Sequence, residues 1–504
     1  MDEIKKVVTI DLLNFKGERS SNVAVDPTLI GDVNDPSYDA INYAINAQKV
    51  RIERFNWLED YYEGNQDIFK RQLTGSLGKA NEKVMINHAK YITDMNVGFT
   101  TGNPIAIAAG QSKNIKPIQE QLDDMDISAH DTELEKDLSV YGCGYELLYI
   151  KQSNGTPTLS IQKIDPRGCV LVTDDTIDKN PLFGIHYVQK LDLLGNPSGY
   201  LITVYTQKSI IAYRTKMGYE LSDTNIADGY PQVTQHYFGD VPLISYRNNE
   251  EKQGDFEQAI SLIDAYNELQ SDRITDKRNF IDALLVVYGF SLTDEKGNDI
   301  NVDKDHTMIY APPKTGDNAA AVEWLTKSFD ESQIQVLVKS IKDDIHQMTY
   351  VPNMLDENFS GVSSGEAMKY KLFGLYQLLA TKERYLTKGI RQRLQLIQNL
   401  LTFKGQQCDA SGAIISINPN IPVNMTDIIN NIKNADGVIP QKVALSWLPG
   451  QNDPDEMIKE LNQEKQDNIK MQDEILGGTS QTEGQTVDDN GNVIDKQQES
   501  GDKS

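Results

Sequence analysis

Apolar residues recur along this chain at helical spacing in some stretches and at strand spacing in others, and the changes of period mark its parts. The longest pattern lies in residues 364–404, where Leu372, Leu375, Leu379, Leu386, Ile390, Ile397 and Leu401 fall three, four or seven positions apart on one helical stripe. Ser363 and Glu366 have the spacing of a capping box, which predicts a helix beginning near Ser364 and ending at Gly405. At about 1.5 Å per residue such a helix is roughly 60 Å long, more than one domain's own core is expected to flank. Something extended, or neighbouring subunits, is therefore expected to cover it.

Before this helix the period changes several times. Residues 1–36 show short β-like pieces without periodicity and read as an arm. Ile41, Ile45, Gln48, Ile52, Phe55, Leu58 and Tyr62 predict a helix over 37–63 with Gly64 as its C-cap, and a second amphipathic helix over 86–100 is stopped by Gly102-Asn103-Pro104. A helix over 115–141 precedes the runs YELLYI, TLSIQKI, CVLVT, GIHYVQ and YLITVYT, which predict a meandering sheet. Asp255 opens a helix with Phe256, Ile260, Ile263 and Tyr266 on one stripe, but residues 267–278 are polar on nearly every face. Three strand-like runs within 283–326 form a small β-rich insertion, and Ile334, Leu337, Ile341 and Ile345 stripe a second bracketing helix. Beyond Gly405, residues 413–424 read as a strand returning to an earlier sheet. Residues 425–475 read as three helices, and 476–504 as an acidic tail too poor in apolar residues to fold. The fold class is α+β, mostly helical.

Composition narrows the function. The 504 residues carry 49 Lys and Arg against 74 Asp and Glu, a formal net charge of -25, so the whole molecule repels polyanions and any contact with DNA must be local. The three cysteines, Cys143, Cys169 and Cys408, are sparse and unpaired in spacing, which suits a reducing compartment. The longest apolar run, residues 283–290, is far too short to span a bilayer, so a soluble protein made inside the cell, with no membrane partner, is expected.

Candidate chemistry is thin. Residues 361–365 match GxSxG, the pattern that sets a hydrolase nucleophile on a turn between strand and helix, but no strand precedes Ser363, and helix capping accounts for it better. The loop Gly75–Ala80 lacks the spacing that wraps a phosphate, Asp299–Asp303 lacks the glycine of a calcium loop, and no two histidines stand at metal-ligand spacing. No catalytic residue, metal or cofactor is expected. What stands out is charge placement: residues 364–404 hold eight basic residues, among them Lys369, Lys371, Lys382, Arg384, Lys388, Arg391 and Arg393, against Glu366 and Glu383. They are candidates to face a neighbouring subunit's acids or DNA phosphates.

YYEG at 61–64, NHAKYITD at 87–94 with TGNPI at 101–105, YGCGYELLY at 141–149, the run 242–267 and NFSGVSSGEAMKYKLFGL at 358–375 together resemble the portal proteins of tailed bacteriophages, in the branch typified by siphophages of Gram-positive hosts. The resemblance covers about residues 40–470. It implies an elongated subunit, with wing, stem, clip and crown regions, forming a ring at one capsid vertex, dodecameric in the virion. Through the channel, terminase drives double-stranded DNA into the procapsid, and DNA leaves at infection. On this chain it implies a wing over 37–252 completed by 364–424, stem helices at 253–282 and 330–350, and a clip at 283–329. A channel loop at 351–363 would include Asn353, Met354, Leu355, Asp356, Glu357, Asn358, Phe359, Ser360 and Gly361, and a crown would occupy 425–475. Implied partners are other copies of the chain, the terminase large subunit, head-completion (adaptor) proteins, and scaffolding and major capsid proteins. The implied location is the virion, with host cytoplasm during assembly. Rival readings are another ring-forming head-tail connector, which should lack the loop-plus-long-helix unit, and a serine hydrolase using Ser363.

Overall fold

The five strand-like runs between residues 145 and 206 do form strands, but in two sheets. The computed structural model describes residues 12, 15–71, 82–110, 113–153, 155–281, 284–288, 308–311, 321–325, 331–354, 365–421, 425–435, 437–445, 448 and 454–477, and the chain divides into two units, residues 1–422 and 423–504. In the first unit, strands β1 (Asn22–Val25) and the small hairpin β2 (Gly31–Asp32) and β3 (Asp35–Pro36) come first, followed by β4 (Ala106–Ala108). β5 (Cys143–Ser153), β6 (Thr156–Ile164), β7 (Cys169–Asp174), β8 (Pro181–Leu191), β9 (Pro197–Tyr205), β10 (Ser209–Arg214), β11 (Gln232–Gln235) and β12 (Leu243–Arg247) then make a six-stranded sheet, β1-β7-β8-β9-β10-β11, and a three-stranded one, β12-β5-β6.

β7 explains why two sheets coexist. All six of its residues are buried, because successive side chains point to opposite faces and both faces are covered. Val170 and Val172 join a core with Ile41, Ala44, Ile45 and Phe183, while Cys169 and Leu171 join the larger core beneath β5 and β12. The same division breaks the helix expected over 37–63 into Tyr38–Lys49 and Ile52–Glu63. Its first half packs on one core and its second half, through Phe55, Leu58 and Tyr61, on the other. Gly64 ends it as expected, at φ +95° with its N–H donating to the Asp60 carbonyl at 3.0 Å. The helix expected over 115–141 also breaks, with Asp126 at φ +52°, into Lys116–Asp124 and Ile127–Tyr141. The arm reading needs correction as well. β1 pairs in parallel with β7, Asn22 opposite Leu171, and Val23 and Ile30 are buried, so residues 22–25 add a strand to the six-stranded sheet and 31–36 form a small hairpin. A four-residue strand is too short for its period to be read.

The long helix runs as Gly365–Lys371, a break at Leu372, and Phe373–Phe403. All seven stripe residues are buried, and the chain itself buries them. β12 lies across the helix, with the Tyr246 ring so close to Gly389 that a Cβ there would sit 2.1 Å from a ring carbon. The expectation that neighbouring subunits must cover this stripe is therefore corrected. The returning strand is β16 (Ile414–Ser416), antiparallel to β4.

The two bracketing helices are Ile260–Ile281, entered through a 3-10 turn at Glu257–Ala259, and Glu331–Thr349. Between them β13 (Leu284–Tyr288), β14 (Met308–Ala311) and β15 (Ala321–Leu325) form a sheet of order β14-β13-β15. Phe256, Ile260, Ile263 and Tyr266 are buried as their spacing predicts. On the second helix the stripe shifts by one residue: Val338 is buried where Leu337, 49% exposed, was expected. The polar stretch after Tyr266 has a partner inside the chain. Asn267, Ser271 and Thr275, four residues apart on one face, accept the backbone N–H groups of Ile86, Val84 and Glu82 at 2.9, 2.9 and 3.1 Å. An extended segment that could pair with no strand is thereby satisfied by helix side chains.

The second unit contains the three expected helices, Met425–Ala435, Gln441–Leu445 and Pro454–Gly477. No helix among the described residues is long and apolar enough to cross a membrane.

Gly389→Ala tests the helix–strand contact. Alanine favours a helix by about 1 kcal/mol, yet the Tyr246 ring is fixed by burial, so the substitution is expected to destabilise the protein by about 1–3 kcal/mol in urea unfolding. Unchanged or increased stability would show that β12 does not press on this helix.

Candidate functional site

Of the expected channel loop, Asn353 and Met354 are described, whereas Leu355, Asp356, Glu357, Asn358, Phe359, Ser360 and Gly361 lie outside the described residues. So do Ser363 and the side chain of Glu366, and with them the capping box and the GxSxG serine. The loop Gly75–Ala80 and the run Asp299–Asp303 lie outside them too. What the structure gives is the point where the second bracketing helix becomes the loop.

That point is clamped. Tyr350 turns the chain with φ +58°, a left-handed conformation that costs a tyrosine free energy. The next residues are held from outside the turn: the ring Nδ1–H of His346 donates to the Val351 carbonyl at 2.9 Å, and the Tyr91 hydroxyl donates to the Pro352 carbonyl at 2.9 Å. Val351 itself is fully buried. His88 stands edge-on to Tyr266 and to His346, with ring centroids 4.9 and 6.0 Å apart, so one aromatic cluster joins both bracketing helices to the helix His88–Thr101. Burial, assisted by the nearby His346 and Lys342, pushes the His88 imidazole down to about 4, so it is neutral near pH 7. Sequence reasoning missed this cluster, because lone histidines at 88 and 346 give no spacing signal.

The basic residues of the long helix divide into two sets. Lys369, Lys371, Arg384, Lys388 and Arg391 are exposed. Lys382 is not: it is 3% exposed and its ammonium meets Glu135 at 2.8 Å and Asp255 at 2.6 Å. The expectation of a DNA- or subunit-facing lysine is corrected at this position, since both charge partners belong to its own subunit. Arg393 is likewise buried, donating to Glu146 at 2.6 and 3.0 Å and to Asp131 at 2.7 Å.

The two carboxylates beside Arg393 respond in opposite directions. Burial pushes Glu146 up, but Arg393 and a hydrogen bond from His130 at 2.8 Å outweigh it and hold the carboxyl at about 2. The Tyr246 hydroxyl donates to it as well, at 2.8 Å. Asp131 has one donor, and there burial wins and raises it. A third buried pair, Arg54 with Glu257 at 2.5 Å, ties the helix Ile52–Glu63 to the turn that opens the first bracketing helix. These charges tie the long helix, β5 and the helices beside them to one another. Among the described residues no group of three or more His, Cys, Asp or Glu is arranged to hold a metal ion.

Comparison with known proteins places this arrangement. Residues 41–471 match the family described as "Phage portal protein, SPP1 Gp6-like". The portal protein of Bacillus phage SPP1 is 20% identical over 443 residues, which cover 82% of this chain and 84% of that one. The portal protein of Clostridium phage phiCD119 is 21% identical over 447 residues, 85% of this chain and 96% of that one.

Two outcomes follow from the geometry. Arg393→Met leaves Glu146 and Asp131 buried without their cation and is expected to cost about 3–5 kcal/mol of stability, whereas Lys388→Met on the exposed side should stay within about 0.5 kcal/mol. Equal effects in urea unfolding would mean that Arg393 is no internal tie. For His88, the unfolded chain takes up a proton below pH 6.5 while the folded one refuses it until about 4. Stability should therefore fall on acidification through that window, by at most about 1.4 kcal/mol per pH unit for this one site, and His88→Phe should flatten the slope. An identical slope in the variant would remove His88 from the account.

Proposed function

This chain belongs to the phage portal protein family of the SPP1 Gp6-like type, and from that premise we propose how its parts serve a portal. The protein has a phage portal function, and its family is a structural, non-enzymatic one whose members are components of the virion capsid. The observation that carries this conclusion is the family match over residues 41–471, with two portal proteins aligned over more than four-fifths of the chain.

On this reading, twelve subunits form a ring at one capsid vertex after assembly in the host cytoplasm. Residues 37–252 and 364–424 make the wing, the helices Ile260–Ile281 and Glu331–Thr349 the stem, and 283–329 the clip. The clip docks the terminase large subunit during packaging and the adaptor proteins afterwards; scaffolding and major capsid proteins are further partners, and residues 425–475 form the crown facing the capsid interior. Support comes from the three-stranded sheet between two helices, a small module suited to docking. The net charge of -25 suits a channel in which double-stranded DNA slides without sticking. Lys369, Arg384 and Lys388 are exposed on the long helix and can face DNA or a neighbour, and Lys371 can do so beside the contact it already makes.

Residues 353–361 line the narrowest part of the channel on this reading, and the Tyr91–His346 clamp supports it by fixing where the loop begins. Deleting Asp356–Phe359 should leave ring assembly and incorporation into the procapsid intact while lowering the yield of packaged DNA at least about tenfold, since only the contact with DNA in transit is lost. Normal packaging beside failed ring assembly would assign the loop to subunit packing instead.

A further inference from the structure

The turn between β8 and β9 is built to hold its shape. One carboxylate oxygen of Asp192 accepts the backbone N–H groups of Leu194 and Asn196, both at 2.8 Å, and the other accepts the Asn196 side-chain amide at 3.1 Å. The Asp192 N–H donates to the Asn196 carbonyl at 2.8 Å, and Gly195 takes φ +84°, closing a tight loop. What this fixed turn presents is apolar: Leu193 and Leu194 are 106% and 86% exposed, and Leu191 is 60% exposed. Polar residues would serve such a turn equally well. A preorganised tip carrying contiguous leucines in water marks an interaction surface.

A hollow lies at the opposite end of the same sheet. The β9–β10 turn, with Gln207 and Lys208, and the segment after β11 face the last turns of the long helix across an open cavity of about 450 Å³. Tyr237 and Phe403 stack in its wall with ring centroids 3.9 Å apart, yet remain 48% and 61% exposed. The wall is rigid, because the Asn399 side-chain amide donates to the Phe238 carbonyl at 2.8 Å and the His236 ring bonds the Thr206 carbonyl at 2.8 Å.

The topology decides what can fill the hollow. β9 runs nine residues from the leucine tip toward the β9–β10 turn, so knob and hollow of one chain are roughly 30 Å apart at about 3.3 Å per residue and cannot meet. Two copies can bring them together, the tip of one against the hollow of the next. A contact between unlike surfaces is heterologous, the kind that repeats around a closed ring. Charge agrees, since Asp192 would approach Lys208 on the rim. We propose that Leu193 and Leu194 of one subunit seat against Tyr237 and Phe403 of its neighbour and form one of the contacts that close the ring; this rests on the ring-forming reading above.

The test uses the full chain with Cys408→Ser, which leaves only the buried Cys143 and Cys169. Leu194→Cys and Thr402→Cys are placed in separate chains, mixed under assembly conditions and oxidised. The expected main product is a disulfide-linked dimer with one chain of each kind, and a chain carrying both cysteines should give a ladder of multimers. In parallel, Leu193→Glu with Leu194→Glu should keep the parental unfolding transition, because both side chains already face water, and lower the ring yield in electron micrographs at least about tenfold. Absence of the cross-link, or a cross-link closed within one chain, overturns the proposal. So do rings of the double variant at parental yield, an outcome that leaves the family reading standing. A parent chain that forms no rings, together with no cross-link between the two cysteine variants, removes the ring reading and this contact together.

Discussion

The frame of the first unit depends on cations of the long helix that the chain keeps for itself. Arg393, without exposure to water, meets Glu146 on β5 and Asp131 on the helix Ile127–Tyr141. Eleven residues earlier on the same helix, Lys382 meets Glu135 on that helix and Asp255 at the start of the first bracketing helix. Eleven residues is close to three helical turns, so both cations point inward on one face. Burying such groups carries a desolvation cost, offset only when partners stand in fixed places, which makes them better at setting register than at adding net stability. Through them the long helix, the β12-β5-β6 sheet and the start of the first bracketing helix are referenced to one another.

A portal needs that kind of referencing, because a channel is shaped by where helices and loops begin and not by a reactive group. The clamp at Val351 and Pro352 does for the loop what Arg393 does for the helix: it fixes the departure point by hydrogen bonds from His346 and Tyr91, which sit on two different helices. The ladder from Asn267, Ser271 and Thr275 to the segment 82–86 extends the same logic down the first bracketing helix. Its polar surface serves neighbouring backbone first, and what is left over is available to other subunits.

The sequence was most legible where one side of an element is apolar. The stripe from Leu372 to Leu401, the stripe from Phe256 to Tyr266, the cap at Gly64 and the strands from β5 to β9 all follow from period and turn residues. It was least legible where a polar residue is used inside. Lys382 and Arg393 look like surface charge until their partners, 127 to 262 positions away in sequence, are known. Asn267, Ser271 and Thr275 read as a solvated face for the same reason. Breaks at Val50 and Asp126 were hidden because helical spacing continues across them, while the two halves pack on different neighbours or change direction. The family, in contrast, was readable from short runs such as YYEG and TGNPI, although identity to the curated relatives is 20–21%.

The central claim, that this chain is the subunit of a portal at one vertex, is tested most directly by labelling intact particles with gold-conjugated antibody against it. Electron micrographs should show gold at a single vertex of each head, the one that bears the tail. Gold distributed over the shell, or along the tail with none at the vertex, would contradict the account.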